Sequence, residues 1–368
     1  MKKTFFYVLL TMVLLLAGCA SGKNNNAKTS GPSDSDKLKV VLLIPGTLGD
    51  KSFFDAANKG LQKVKEEFGA ETKVIEMGAD NTKWEPTFNQ VASQGWDIII
   101  SGGSQVTELL NATAEEHPEK KFINYDTDIT ETADNVYAVG YAVNEVSFLA
   151  GAAAALVSIS DMPNANPDKT IGFLGGMDIP GINAFLVGYI EGAKYAVPDI
   201  KVAVSYAGVF TDPGKGKELS LLQYNSGVDV VFTAAGGTGL GVFDSAKEKQ
   251  GYAVGVDSDQ GSMIAETDKD KARLILTSAV KKIDEAILSA VIEIEDGTAK
   301  MGNHKVVGIE DNGVGIVEND IYNGVVSADI KTKINEIREK LASGEIKVSD
   351  AMGMETSEIE KIRESVKP

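Results

Sequence analysis

The chain is poor in the residues that build disulfide or metal frameworks. Its 368 residues include one cysteine and two histidines. One thiol excludes a disulfide framework and any zinc or iron–sulfur site built from several cysteines. His117 and His304 leave little for a histidine-rich metal site, and each reads as a surface residue. Arginine is scarce too: Arg273, Arg338 and Arg363 are the only three, so bidentate phosphate clamps are few. Positive charge is outnumbered, with 53 acids against 36 bases and a net charge of −17. That balance argues against a nucleic acid partner, whose phosphates need a basic face. After the N-terminal segment no apolar run reaches the about 18 residues of a membrane span. The nearest, 148–157, is flanked by Glu145 and Asp161 and suits a buried helix. No Walker A, G-x-S-x-G or H-E-x-x-H motif and no Cys–His dyad occurs, so neither a metal nor a cofactor is expected.

What is present is ordinary globular chemistry, 43% hydrophobic and 24% charged, in a length that suits two domains. The N-terminus reads as an address. Lys2 and Lys3 precede an apolar run over 5–16, too short for an ordinary span and right for a secretion signal. Leu16-Ala17-Gly18-Cys19 resembles the bacterial lipoprotein signal, with cleavage before Cys19 and lipid on its sulfur. Residues 1–18 are therefore expected to be a signal peptide. Residues 19–37, rich in Ser, Asn, Gly and Lys, are expected to be the lipidated cysteine and a flexible tether. The body is expected on the extracytoplasmic face of a cell membrane, held by lipid.

From residue 38 onward the pattern alternates. Strands are predicted over 38–45, 72–76, 97–101, 121–125, 136–141, 170–174, 201–206, 228–234 and 252–256. Helices are predicted over 53–68, 145–158, 182–196, 215–226 and 241–250. In the first, Phe54, Ala57, Leu61, Val64 and Phe68 form one apolar stripe, and Ser52 with Asp55 suits a capping box. Many strands are apolar without alternation, as parallel strands covered on both faces should be. The class is α/β, doubly wound.

Three predicted strands end in paired glycines, Gly102-Gly103, Gly175-Gly176 and Gly236-Gly237. Such pairs make tight strand-to-helix turns; together they also mark a cleft edge, since ligands in open α/β sheets bind beyond the carboxyl ends of strands. The run 236–241 imitates a dinucleotide site, but Val242 stands where the third glycine belongs. Asp50, Asp126 and Asp257 also follow strands. Each reads as a helix cap or turn former. As a set they suit a neutral, hydroxylated or amide-bearing ligand and would repel phosphate. Buried carboxylates need a positive partner. Lys281 is the candidate, with a solvated helix residue as its alternative reading. Phe53, off the apolar stripe, and Phe210, in a loop, are candidates to stack on a planar base, or else pack locally.

These segments resemble, in order, the basic membrane protein family of ABC-transporter substrate-binding lipoproteins, which includes purine nucleoside receptors. The matching pieces are Gly49-Asp50-Lys51-Ser52-Phe53, the run 171–181 (IGFLGGMDIPG), 208–212 (GVFTD), 236–243 (GGTGLGVF), 255–260 (GVDSDQ), and Thr277-Ser278 with Lys281. The resemblance implies a type I periplasmic-binding-protein fold, two Rossmann-like lobes joined by three crossovers. It places them at about residues 142, 260 and 298, giving one lobe of 38–142 plus 260–297 and another of 143–259 plus 298–368 with a terminal helix. It also implies that Phe53 and Phe210 stack on the base, that Asp126 bonds its edge, and that Asp50, Asp257 and Lys281 hold the ribose while Gly237 allows close approach. Where family members commonly have Ser-Phe-Asn, this chain has Ser52-Phe53-Phe54. The implied role is a monomeric receptor, not an enzyme, that passes a purine nucleoside to a membrane permease. The alternatives are the same receptor for a sugar, riboflavin or another neutral ligand, and a secreted nucleoside hydrolase.

Overall fold

The computed structural model describes residues 37–368, so the signal, Cys19 and nearly all of the tether lie outside the described residues. The body begins with β1 (Lys39–Ile44), α1 (Phe53–Phe68), β2 (Glu71–Glu76), α2 (Trp84–Ala92), β3 (Ile98–Ser101), α3 (Thr107–Glu116), β4 (Lys121–Tyr125) and β5 (Val136–Tyr141). It continues with α4 (Val143–Ser158), β6 (Thr170–Gly175), α5 (Pro180–Ala196), β7 (Lys201–Tyr206), α6 (Pro213–Asn225), β8 (Val230–Ala234), α7 (Leu240–Lys249) and β9 (Tyr252–Asp257). It closes with α8 (Gln260–Ala265), α9 (Lys269–Ala272), β10 (Ile275–Lys281), α10 (Ile283–Glu295), β11 (His304–Val307), β12 (Val314–Ile316), α11 (Asp320–Val325), α12 (Ala328–Ala342) and α13 (Thr356–Ser365).

The strands form two six-stranded sheets, ordered β11-β5-β4-β3-β1-β2 and β12-β10-β9-β8-β6-β7. All pairings are parallel except β10 with β12. Helices cover both faces, which is why β1 reads as an uninterrupted apolar run. Val40, Leu42 and Ile44 join one buried cluster; Val41 and Leu43 join another with Trp84, Phe88 and Trp96. α4 is buried along nearly its whole length, as its apolar composition predicts. It packs closely on α5: a Cβ on Gly151 would lie 2.0 Å from the Tyr189 carbonyl, and one on Gly192 would lie 1.9 Å from that of Phe148.

The chain passes between the sheets after β5, after β10 and after β11. Two of these points correct the sequence reading. Residues 260–297 do not all belong with the first sheet, because β10 pairs with β9 at the heart of the second. Only α10 returns, packing on α1 and β4. Nor does 298–368 lie wholly with the second, since β11 extends the first beside β5. β10 escapes detection because Thr277 and Ser278 interrupt it and Lys281 ends it, although six of its seven residues are buried.

A second correction concerns the start of α1. Ser52 makes no side-chain cap there. The carboxylate of Asp50 accepts instead from the backbone N–H of Ser52, Phe54 and Asp55, at 3.0, 3.0 and 3.1 Å. Asp55 accepts from Gly49 and Lys51 at 2.8 and 2.9 Å, holding the preceding turn. With its backbone duty taken over, the Ser52 hydroxyl is free to act elsewhere.

Candidate functional site

In each sheet the strand order reverses once, at β1 and β3 in the first and at β6 and β8 in the second. Loops leaving the carboxyl ends at such a reversal diverge and leave a crevice, the place where open α/β sheets hold ligands. Here the two crevices face one another and enclose one cavity of about 150 Å³. Asp50, Phe53, Asp126, Phe210, Gly237, Asp257 and Lys281 all line it. So do Gly102, Gly103 and Gly236 from the glycine pairs. Gly176 lies beneath Phe210, where a Cβ would sit 2.3 Å from the ring.

Charge is organised around Lys281, which ends β10 and is no solvated helix residue. Its Nζ donates to Asp126 Oδ2 at 2.8 Å and stands 3.2 Å from Asp257 Oδ1, an ion pair without hydrogen-bond alignment. It also lies 4.7 Å above the centre of the Phe53 ring. Asp126 and Asp257 both adopt left-handed backbone conformations, with φ of 77° and 63°. That conformation is costly for a residue with a side chain and concentrates at functional sites. The Ser52 hydroxyl donates to Asp257 Oδ2 at 2.6 Å. Since Asp126 and Ser52 belong to loops of the first sheet, and Lys281 and Asp257 end strands β10 and β9 of the second, these bonds tie the two halves together.

Burial sets the protonation of the site. It lifts the Asp50 carboxyl to about 6, against the opposing hydrogen bonds from Phe54, Ser52 and Asp55. Burial also raises Asp126, with Lys281 pulling the other way. For Lys281 burial disfavours the charge, but Asp126 and Asp257 more than offset it, and the ammonium is held above its ordinary value. Tyr125 and Tyr141 are pushed far up by burial and nearby acids, so both remain neutral phenols. Neither hydroxyl has a hydrogen-bond partner.

The aromatic walls come from both halves. Phe53 packs 5.3 Å from Tyr125 and 5.5 Å from Phe54, ring centre to ring centre. Phe210 lies against Gly236 on the other side. Phe54 is half-buried and serves both sides: it packs against the core, as the helical stripe predicts, and also lines the cavity. Gly237 faces Asp50, and a Cβ there would lie 3.6 Å from that of Asp50. Sequence reasoning missed Ser52, Tyr141, Phe185 and Met352. Tyr141 ends a strand as Asp126 follows one, so position was an available signal; Phe185 and Met352 offered none.

The sequence profile of the ABC transporter substrate-binding protein PnrA-like family matches residues 37–351. The chain belongs to this family, whose members are substrate-binding receptors of ABC transporters and not enzymes. It is similar to the CD4+ T-cell-stimulating antigen of Listeria innocua, 30% identical over 370 residues, covering 95% of this chain and 99% of that one. It is also similar to the ABC transporter nucleoside-binding protein BmpA of Lactococcus lactis, 30% identical over 362 residues, covering 93% and 95%. Among solved structures, an ABC transporter solute-binding protein from Aeropyrum pernix superposes with a TM-score of 0.79 at 25% identity, covering 89% of this chain and 97% of that one. The two-lobed α/β fold is thus that of ABC solute-binding proteins. Among the described residues no helix is long and apolar enough to cross a membrane.

Proposed function

We propose that this solute-binding protein is a lipid-anchored receptor for a purine nucleoside, which it encloses between its halves and delivers to a membrane permease. The observation that carries the reading is the cavity in which two phenylalanines, one from each half, meet a Lys281-centred set of carboxylates. Phe53 and Phe210 stack on the base. Asp126 accepts from its edge. Asp257 and Lys281 engage the ribose hydroxyls, and Asp50 offers what acceptor capacity the α1 backbone leaves. Because each half supplies part of the wall, the ligand makes its full set of contacts only when the halves are together. That difference in affinity drives closure. Three carboxylates against one ammonium favour a neutral nucleoside over a nucleotide.

Calorimetry with adenosine, guanosine, inosine, cytidine and AMP tests this. A purine nucleoside binds, and AMP binds on the order of 100-fold more weakly. Folded protein that binds none of the nucleosides overturns the assignment. Phe54 favours one second reading: an apolar wall where relatives commonly carry Asn suits a different neutral ligand, such as a flavin. Mass spectrometry of the small molecule that co-purifies separates the two.

A further inference from the structure

The family match ends at residue 351, yet the last 17 residues are tied to the cavity. Met352 lines it. The turn that carries Met352 is anchored: Ser349 N–H donates to Glu191 at 3.0 Å and Met352 N–H to Asp350 at 2.9 Å. Beyond it, α13 lies on α5. There Arg363 makes a two-pronged bond, Nη1 to Asp178 Oδ2 at 3.0 Å and Nη2 to Asp178 Oδ1 at 2.9 Å. Nη2 also reaches Asn183 Oδ1 at 2.8 Å and the Tyr206 hydroxyl at 2.7 Å, and the guanidinium stacks 4.8 Å over the Tyr206 ring. Asp178 belongs to the loop from β6 to α5; Ile179 of that loop and Gly181 and Ile182 of the first turn of α5 line the cavity. Val202 N–H donates to the Val366 carbonyl at 2.8 Å, fastening the chain's end to the edge of the second sheet.

We propose that residues 352–368 are a specificity strap: Met352 forms part of the wall that the ligand touches, and Arg363 is a positioning residue that holds the 177–182 segment, the loop and first turn of α5, to the ligand. Only arginine has the planar fork that grips one carboxylate twice while stacking on a ring, so one of this chain's three arginines is committed here. Met352 presents a polarisable thioether of adaptable shape, suited to the flat edge of a heterocycle. The identity of that ligand rests on the nucleoside reading above; the grip on the loop does not.

The test uses the full chain with Met352→Ala, Arg363→Met and Arg363→Lys. Hydrogen–deuterium exchange of the free protein reads the loop. Arg363→Met speeds exchange over 177–183 by about tenfold, and Arg363→Lys only partly restores protection. Calorimetry with guanosine and inosine reads the wall. Met352→Ala changes the ratio of their affinities by about tenfold, whereas a purely structural role moves both in parallel. Exchange over 177–183 that is unchanged in Arg363→Met overturns the strap, as does a parallel shift in Met352→Ala. If wild-type protein binds neither nucleoside, the nucleoside reading falls and the exchange result alone decides the strap. Should Arg363→Met not fold, exchange in Arg363→Lys decides the grip and Met352→Ala, which leaves the clamp's own side chains intact, decides the wall.

Discussion

Lys281 balances the buried carboxylate of Asp257 and the half-buried one of Asp126, and its loss would leave them without a counter-charge. Lys281→Met should lower stability by about 3–5 kcal/mol, read from urea denaturation, and weaken ligand binding on the order of 100-fold. Protonation acts in the opposite sense at Asp50 and at Asp229, whose carboxyls burial lifts from 3.8 to about 6. The folded state holds these protons more tightly than the unfolded chain. Stability from these two groups is therefore full below about pH 4 and falls as pH rises to 6, by up to about 3 kcal/mol each. Asp229→Asn should flatten that part of the pH dependence of the urea midpoint; an unchanged slope would refute the assignment. The strand-end acids were legible in the sequence because a parallel sheet delivers its carboxyl ends to one edge. The capping of α1 by Asp50 was legible as well, since an acid just before a predicted helix is a cap candidate; that Ser52 would turn from the helix to Asp257 was not, because its partner lies 205 residues away.

Elements were read well where one signal ruled. The predicted α4 and α5 are present because their composition is apolar almost throughout. β10 was not, since its interior mixes Thr, Ser and Ala and its buried end is a lysine, intelligible only once Asp126 and Asp257 are beside it. α4 and α5 also show what a helix pair demands of small residues. Gly192→Val would push a side chain into the Phe148 carbonyl and should cost about 3 kcal/mol or more, seen as a lower urea midpoint with unchanged slope. Ligand affinity in the remaining folded protein should hold near wild type, since Gly192 does not line the cavity.

At the scale of the molecule, the repeated strand–helix pattern announced a doubly wound α/β chain, the family resemblance implied its two lobes, and the strand-end residues marked a cleft edge. The crossing points were less legible. The chain returns to the first sheet for little more than one helix and one strand, α10 and β11, and so short a visit leaves no boundary in composition. The anchor is testable at the same scale: Cys19→Ser should abolish palmitate labelling and release the chain from the membrane fraction. A labelled, membrane-bound Cys19→Ser chain would refute it.

The two tryptophans have a practical consequence. Trp84 and Trp96 are both buried in the outer cluster of the first sheet, and neither lines the cavity. Intrinsic fluorescence is therefore a poor witness to occupancy, and a silent emission spectrum on adding a compound says nothing against uptake. The remedy is built into the composition. With the sole thiol at position 19, any cysteine introduced on the second sheet's loops is the one attachment point in the body for a dye.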